Sequence, residues 1–295
     1  MTLLEVDSLL KRYGKNTAVN GVSFRVEKGQ VFGLLGPNGS GKTTLLGCLT
    51  GILIADQGSF SWFGNEEFSS ARKRIGALIE TPNFYPYLSA WKNLEIVAKI
   101  KGCELSRIDV VLKEVELFDR KNDAFKTFSL GMKQRLAIAG ALLCDPEILV
   151  LDEPTNGLDP QGINEIRQLI LRQKANGKTI VLASHLLNEV EKVCTDVVIL
   201  KKGNVLSSGK VEQLLTENKR IELGSNDLSA LRNAIQSFTG ISNIQDRNGF
   251  LIADLADDLD AASINKQLQE KGILLNHLVV VKSDLESEFL KLVQK

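Results

Sequence analysis

Little in this 295-residue chain is of the kind that builds zinc-stapled or covalently stapled folds. Its four cysteines, Cys48, Cys103, Cys144 and Cys194, fall into no CxxC or Cys/His spacing, and there are only two histidines, His185 and His277. A structural zinc site and a disulfide framework are therefore not expected, and the thiols read as small core residues in a reducing compartment. Charge of one sign is not in excess either. The 36 basic and 36 acidic residues cancel, and no basic stripe offers itself to nucleic acid. No uncharged apolar run approaches the ~20 residues that cross a bilayer. The opening from Met1 to Gly14 lacks the apolar stretch of a secretory signal, so a cytosolic location is the expectation. Internal repeats and low-complexity tracts are also missing. What is left is an ordinary globular composition, 43% hydrophobic, in a chain long enough for two units, since single cores stop growing at about 250–300 residues.

What the chain does have is a series of short apolar runs. Val31-Phe32-Gly33-Leu34-Leu35, Ile148-Leu149-Val150-Leu151, Thr179-Ile180-Val181-Leu182-Ala183 and Val197-Val198-Ile199-Leu200 read as strands buried on both faces. Between them lie segments of helical spacing, such as Ile163, Ile166 and Ile170 within residues 161–175. That alternation predicts a parallel sheet covered by helices. Residues 3–6 and Val22, Phe24 and Val26 alternate, which predicts an antiparallel sheet beside that core. Residues 89–143 are mostly helical by pattern and form a subdomain inserted between core strands. After a polar link at 209–219 the order is strand (220–223), helix (228–238), strand pair (244–255), helix (261–271), strand (274–281) and helix (284–293). It suits a small α+β domain of ferredoxin-like kind.

The first buried strand runs into Gly36-Pro37-Asn38-Gly39-Ser40-Gly41-Lys42-Thr43, a complete GxxxxGK[ST] pattern between a strand and an amphipathic helix. A triphosphate needs several donors around it, and a glycine-rich turn lets backbone N–H groups approach where side chains would collide. The following helix N-terminus adds partial positive charge. Gly36, Asn38, Gly39, Ser40, Gly41, Lys42, Thr43 and Thr44 are thus the binding candidates for ATP, with Lys42 on the β and γ phosphates and the Thr43 hydroxyl on Mg²⁺. The second buried strand ends in Asp152-Glu153, at the carboxyl edge where open α/β sheets bind ligands. Neighbouring strand residues point to opposite sides, so Asp152 is assigned to the Mg²⁺ shell and Glu153 to the general base that orients the attacking water.

The order of this loop, then Phe128-Ser129-Leu130-Gly131-Met132-Lys133-Gln134-Arg135, then Asp152-Glu153, then Gly157-Leu158-Asp159, then His185 resembles an ABC-type nucleotide-binding subunit over roughly the first 215 residues. The resemblance implies an α/β fold: a P-loop NTPase core of ABC type with a flanking antiparallel β subdomain and an inserted helical subdomain over about residues 85–145. Residues 1–215 would form that ATP-binding domain and residues 216–295 the small accessory α+β domain. It further implies that Ser129 and Gly131 bind the γ-phosphate of nucleotide held by another copy, which requires a head-to-tail homodimer or pairing with a related ABC subunit. Gly157 to Asp159 would cross that interface. His185 would be the switch histidine, and Tyr13 would stack on adenine, although by pattern alone Tyr13 is a strand residue. The partner that does the transport would be an integral membrane permease subunit, with this chain peripheral on the inner face of the cell membrane.

The chain departs from the family pattern in two places. Leu130 stands where the signature's first glycine usually sits and Met132 replaces its glutamine. Glu80 stands where a glutamine is usual, in Ala77-Leu78-Ile79-Glu80-Thr81-Pro82. A carboxylate there is a stronger magnesium ligand than an amide, yet it repels the γ-phosphate when no metal intervenes; an exposed loop acid is the plain alternative. This glutamate form resembles subunits of exporters that protect against bacitracin or lantibiotics. Phe84, Tyr85, Tyr87, Leu88 and Trp91 just beyond it are the candidates for contact with a membrane subunit, and core packing suits any one of them equally. The tail 283–290 resembles the end of drug- and antibiotic-exporter subunits and reads plainly as an amphipathic helix. Soluble ABC proteins acting on DNA or ribosomes would show long coiled coils or two cassettes. An ordinary P-loop kinase would need neither Ser129 to Met132 nor the histidine.

Overall fold

The computed structural model describes residues 1–64, 66–216, 219–247, 249–256 and 259–281. The chain divides into two compact units, Met1–Lys210 and Val211–Lys295.

The first unit opens with two long antiparallel strands, β1 (Thr2–Tyr13) and β2 (Asn16–Glu27), which turn at Gly14 and pair from Thr2↔Glu27 to Tyr13↔Asn16. The all-buried β3 (Val31–Leu35) leads through the glycine loop into α1 (Lys42–Leu49). Next, β4 (Gln57–Trp62) joins the other edge of β1, closing a three-stranded antiparallel sheet in the order β2-β1-β4. The short α2 (Phe68–Ala71) and β5 (Ile75–Leu78) return the chain to the core.

The helical part follows as α3 (Ala90–Lys101), α4 (Ser106–Glu114) and α5 (Leu130–Leu142). Ser89 caps α3 by accepting from the Lys92 N–H, and Gly102 ends it in the left-handed conformation that glycine tolerates. Helix α5 begins at Leu130 because Ser129 caps it, accepting from the Met132 N–H. Then come β6 (Ile148–Asp152), α6 (Pro160–Ala175), β7 (Thr179–Ser184), α7 (Leu187–Val193), β8 (Asp196–Lys201) and β9 (Asn204–Lys210). In α6, Asp159 caps the N-terminus and Pro160 occupies the first turn, where its missing N–H costs nothing.

These strands form a six-stranded sheet in the order β5-β6-β7-β3-β8-β9, parallel except for the β8/β9 hairpin. Strands β3, β6 and β7 are buried at every position, which is why they read as unbroken apolar runs. A common core joins this sheet to the β1/β2 face through Leu4, Val6, Val22, Leu34, Leu46, Trp62 and Val150.

The second unit runs α8 (Val211–Thr216), β10 (Lys219–Ser225), α9 (Leu228–Ile235), β11 (Ile241–Arg247), β12 (Phe250–Leu255), α10 (Ala261–Glu270) and β13 (Leu275–Val281). Its antiparallel sheet has the order β11-β12-β10-β13, the split βαβ arrangement of ferredoxin-like folds. Ile221, Leu223, Leu231, Ile235, Leu251 and Leu268 form its core. The helix expected over 284–293, and the tail motif 283–290, lie outside the described residues.

The cysteines need one correction. Cys48 and Cys194 are buried free thiols, and burial pushes the Cys194 thiol far above its ordinary range. Cys103 and Cys144, however, are joined in a disulfide with Cα atoms 5.4 Å apart. They are 41 residues apart in sequence and show no spacing motif. Only the packing of the loop after α3 against the end of α5 brings them together.

Candidate functional site

The strand order explains why residues distant in sequence meet. Strands β5, β6, β7 and β3 lie side by side and parallel, so their carboxyl ends form one edge. In a row along that edge come Glu80, Asp152 with Glu153, His185 and the Gly36–Lys42 loop. This is the crevice where sheets of this type bind ligands.

The loop is built on glycine conformations. Gly36, Gly39 and Gly41 have φ of 152°, 78° and 105°, in the region that side chains strain to adopt. A Cβ on Gly41 would lie 2.1 Å from the Ala18 carbonyl oxygen, and one on Gly36 would lie 2.3 Å from the Leu200 carbonyl oxygen, whereas Gly39 faces open space. Gly36 and Gly41 are therefore needed for close approach and Gly39 for its backbone alone. Lys42, only 5% exposed, donates to the carbonyls of Gly36 (2.7 Å) and Pro37 (3.3 Å), and its ammonium lies 3.2 Å from Glu153 Oε1.

Asp152 is buried at the end of β6. Burial holds its carboxyl above the usual aspartate range, aided by the negative charges of Glu153 and Glu80 and opposed by a hydrogen bond from the Thr43 hydroxyl and the charge of Lys42. Its Oδ1 has no hydrogen-bond partner, and neither does the buried Ser40 Oγ. Such oxygens are costly unless a ligand uses them.

Glu153 does not continue the strand. Its φ of 46° is the left-handed conformation, so a backbone turn, and not strand alternation, separates the two carboxylates. Non-glycine residues in that conformation cluster at working sites. Glu153 Oε2 lies 2.8 Å from His185 Nδ1, while its backbone N–H donates to the Ala183 carbonyl (2.9 Å).

A cavity of about 630 Å³ opens above this edge. It is lined by Tyr13, Asn38, Gly39, Ser40, Gly41, Lys42, Thr43, Thr44 and Glu153 from the expected set. Tyr13 is 49% exposed, with the Lys11 ammonium 5.7 Å from its ring centroid. Asn16, Thr17, Ala18 and Lys202 also line it and were missed. Lys202 had a signal: it follows a buried strand adjacent to β3, where strand ends gather beside the loop. Glu80 is exposed with φ of 63° and stands outside the lining, although its charge reaches Asp152.

Ser129 and Gly131 are not among the lining residues. The Ser129 hydroxyl accepts from the Met132 N–H at 3.3 Å, and Leu130 is 49% exposed. A Cβ on Gly157 would come within 3.3 Å of Leu130 Cδ2, so the signature-like loop and the turn before α6 pack directly.

Among the aromatic candidates beyond Glu80, Tyr85 and Tyr87 are 51% and 71% exposed. Phe84 packs edge-on against Phe125 with ring centroids 5.3 Å apart. Leu88 and Trp91 are partly buried. Asn93, 1% exposed, pins this loop. Its amide donates to the carbonyls of Tyr85, Leu88 and Ser89 and its Oδ1 accepts from the Tyr85 N–H, all within 3.2 Å.

A protein-family model described as ABC transporter matches residues 19–156. The chain is 34% identical over 298 residues to the bacitracin transport ATP-binding protein BcrA of Enterococcus faecalis, covering 99% of this chain and 96% of that protein. It is 42% identical over 204 residues to the lantibiotic transport ATP-binding protein SrtF of Streptococcus pyogenes, 69% of this chain and 89% of that one. Among solved structures, a dimeric ATP-binding cassette in a post-hydrolysis state bound to ADP and phosphate matches with a TM-score of 0.64 at 27% identity, over 71% of this chain and 99% of that one. With a phosphate loop, a carboxylate pair and a histidine on one sheet edge, and relatives matching along almost its whole length, the chain belongs to the ABC transporter family as an ATP-binding subunit.

Proposed function

We propose that this subunit hydrolyses ATP in a head-to-tail dimer and thereby drives a separate membrane permease that exports peptide antibiotics or drug-like compounds. The observation behind the catalytic part is Glu153, held between His185 Nδ1 at 2.8 Å and the Lys42 ammonium at 3.2 Å beside the cavity. A carboxylate so placed can orient a water and accept its proton, while Lys42 stabilises charge on the terminal phosphates. The His185 ring, oriented through Nδ1, is left with Nε2 to meet the γ-phosphate. Tyr13 offers the adenine a flat face.

The donor set also suits magnesium: a hard cation takes oxygen ligands and keeps part of its water shell, and the orphaned Asp152 Oδ1 beside the Thr43 hydroxyl supplies such oxygens. When bound, magnesium would neutralise charge between the β and γ phosphates, held by Thr43 and Asp152 with Glu80 nearby. The dimer is supported by Ser129 and Gly131 standing outside the cavity lining of their own chain, free to serve a second copy's nucleotide.

Among the described residues no helix is long and apolar enough to cross a membrane, and the permease role therefore falls to another chain. Export of peptide antibiotics is supported by the relatives that transport bacitracin and lantibiotics. Phosphate release from MgATP by the purified chain, alone and with its permease in vesicles, tests this reading. Turnover that rises with the permease and with bacitracin or a lantibiotic is expected. Turnover indifferent to the permease, or phosphate passed to a small acceptor, would argue for a soluble phosphotransferase instead.

A further inference from the structure

The turn between β8 and β9 is fastened to the phosphate loop. The Gly203 N–H donates to the Ser40 carbonyl (3.0 Å), and the Asn20 N–H donates to the Gly203 carbonyl (2.9 Å). The Asn20 side-chain amide reaches Asn204 Oδ1 (2.9 Å), and the Asn204 amide donates to the Lys202 carbonyl (3.0 Å). Lys202 and Gly203 have φ of 49° and 81°, the pair of positive values that a two-residue hairpin turn requires, so the turn fixes where Lys202 leaves the backbone. Lys202 lines the nucleotide cavity and its exposed side chain has, among the described residues, no ion-pair or hydrogen-bond partner. A tethered turn thus sets an uncommitted cation at the rim of a cavity built for an anion.

The geometry points to Lys202 as a second cation for the nucleotide, gripping the phosphates that ATP and ADP share. Its side of the cavity decides which phosphates. Positions for a Cβ on Gly41 and on Gly203 both crowd the Ala18 carbonyl, so the turn lies against the β2 segment Asn16–Ala18, which leads through the hairpin to Tyr13. The Lys42 ammonium lies beside Glu153 at the end of β6. Lys202 therefore meets the phosphate chain from the base-bearing end and Lys42 from the terminal end. Charge-assisted contacts to phosphate are the strong kind, and a partly exposed one weakens as salt rises.

Lys202→Gly removes the cation and relaxes the backbone at the same time, so the fold is preserved and melting at or above the parent temperature checks this. Titration calorimetry with ATP and with ADP, each at two salt concentrations, is expected to show Kd raised roughly three- to tenfold for both nucleotides. The salt dependence of binding should flatten, and Lys202→Arg should restore most of the affinity. Unchanged Kd for both nucleotides in the Gly variant, a loss confined to ATP, or an Arg variant no better than the Gly variant would overturn the assignment.

Discussion

Glu153 and His185 form one hydrogen-bonded unit: Glu153 Oε2 lies 2.8 Å from His185 Nδ1, joining the ends of two adjacent parallel strands. If the carboxylate takes the proton of the attacking water, Glu153→Gln keeps the shape and removes the base. Phosphate release should fall about 10²–10⁴-fold, with ATP affinity retained and an ATP-dependent dimer accumulating on gel filtration. Near-full turnover in this variant would remove the general-base assignment.

Asp152 gives the protein a pH signature. Its carboxyl is held above the ordinary 3.8, chiefly by burial, so the folded state favours the protonated form. That contribution to stability is complete below 3.8 and is lost as pH rises through the folded value, which means the ionised group weighs against the fold at neutral pH. Asp152→Asn should therefore melt higher than the parent at pH 7 without nucleotide, and the gap should shrink toward pH 4. A gap that is absent, or that widens with acid, would contradict this. Turnover with magnesium should be lost in the same variant.

The glycines of the phosphate loop should separate by the space behind them. Gly41→Ala sets a Cβ 2.1 Å from the Ala18 carbonyl and should cost more than about 3 kcal/mol, because backbone must move. Gly39→Ala meets nothing within 4 Å and should cost only its left-handed backbone, about 1–2 kcal/mol. Chemical denaturation of the two variants compares them directly, and equal losses would mean that crowding is not the difference.

Asn93→Ala should loosen the loop between Glu80 and α3. Four hydrogen bonds vanish from a residue that is 1% exposed; the Tyr85, Leu88 and Ser89 carbonyls keep backbone donors but the Tyr85 N–H loses its acceptor, a cost of about 1–3 kcal/mol. Faster amide exchange confined to residues 82–92 is expected, with nucleotide affinity nearly unchanged. Uniformly faster exchange would place the effect in the core instead.

The parallel core was legible because β3, β6, β7 and β8 are buried on nearly all sides and so carry unbroken apolar runs. The phosphate loop was legible for a different reason, since its glycines and Lys42 satisfy one local geometry. What escaped depends on crossings between distant segments. Ala18 presses on Gly41, Lys202 lines the cavity from a separate hairpin, and Cys103 meets Cys144 only through helix packing. The left-handed turn at Glu153 was hidden because a strand ending in two acids looks the same whichever way its last residue bends. Exposure in the aromatic loop was also invisible: Tyr87 stands in solvent while Phe84 packs edge-on against Phe125, although both belong to one apolar cluster in the sequence.

The leucine at position 130 leans on the glycine at position 157. Any bulkier residue at 157 would press on that leucine's methyl, 3.3 Å from where a Cβ would stand, and would meet its own backbone strain at φ of 74°. The two sites are thus tied as a lock is to its bolt: a glycine at 130 would take away the side chain through which the two loops touch, leaving solvent in its place since that leucine is 49% exposed.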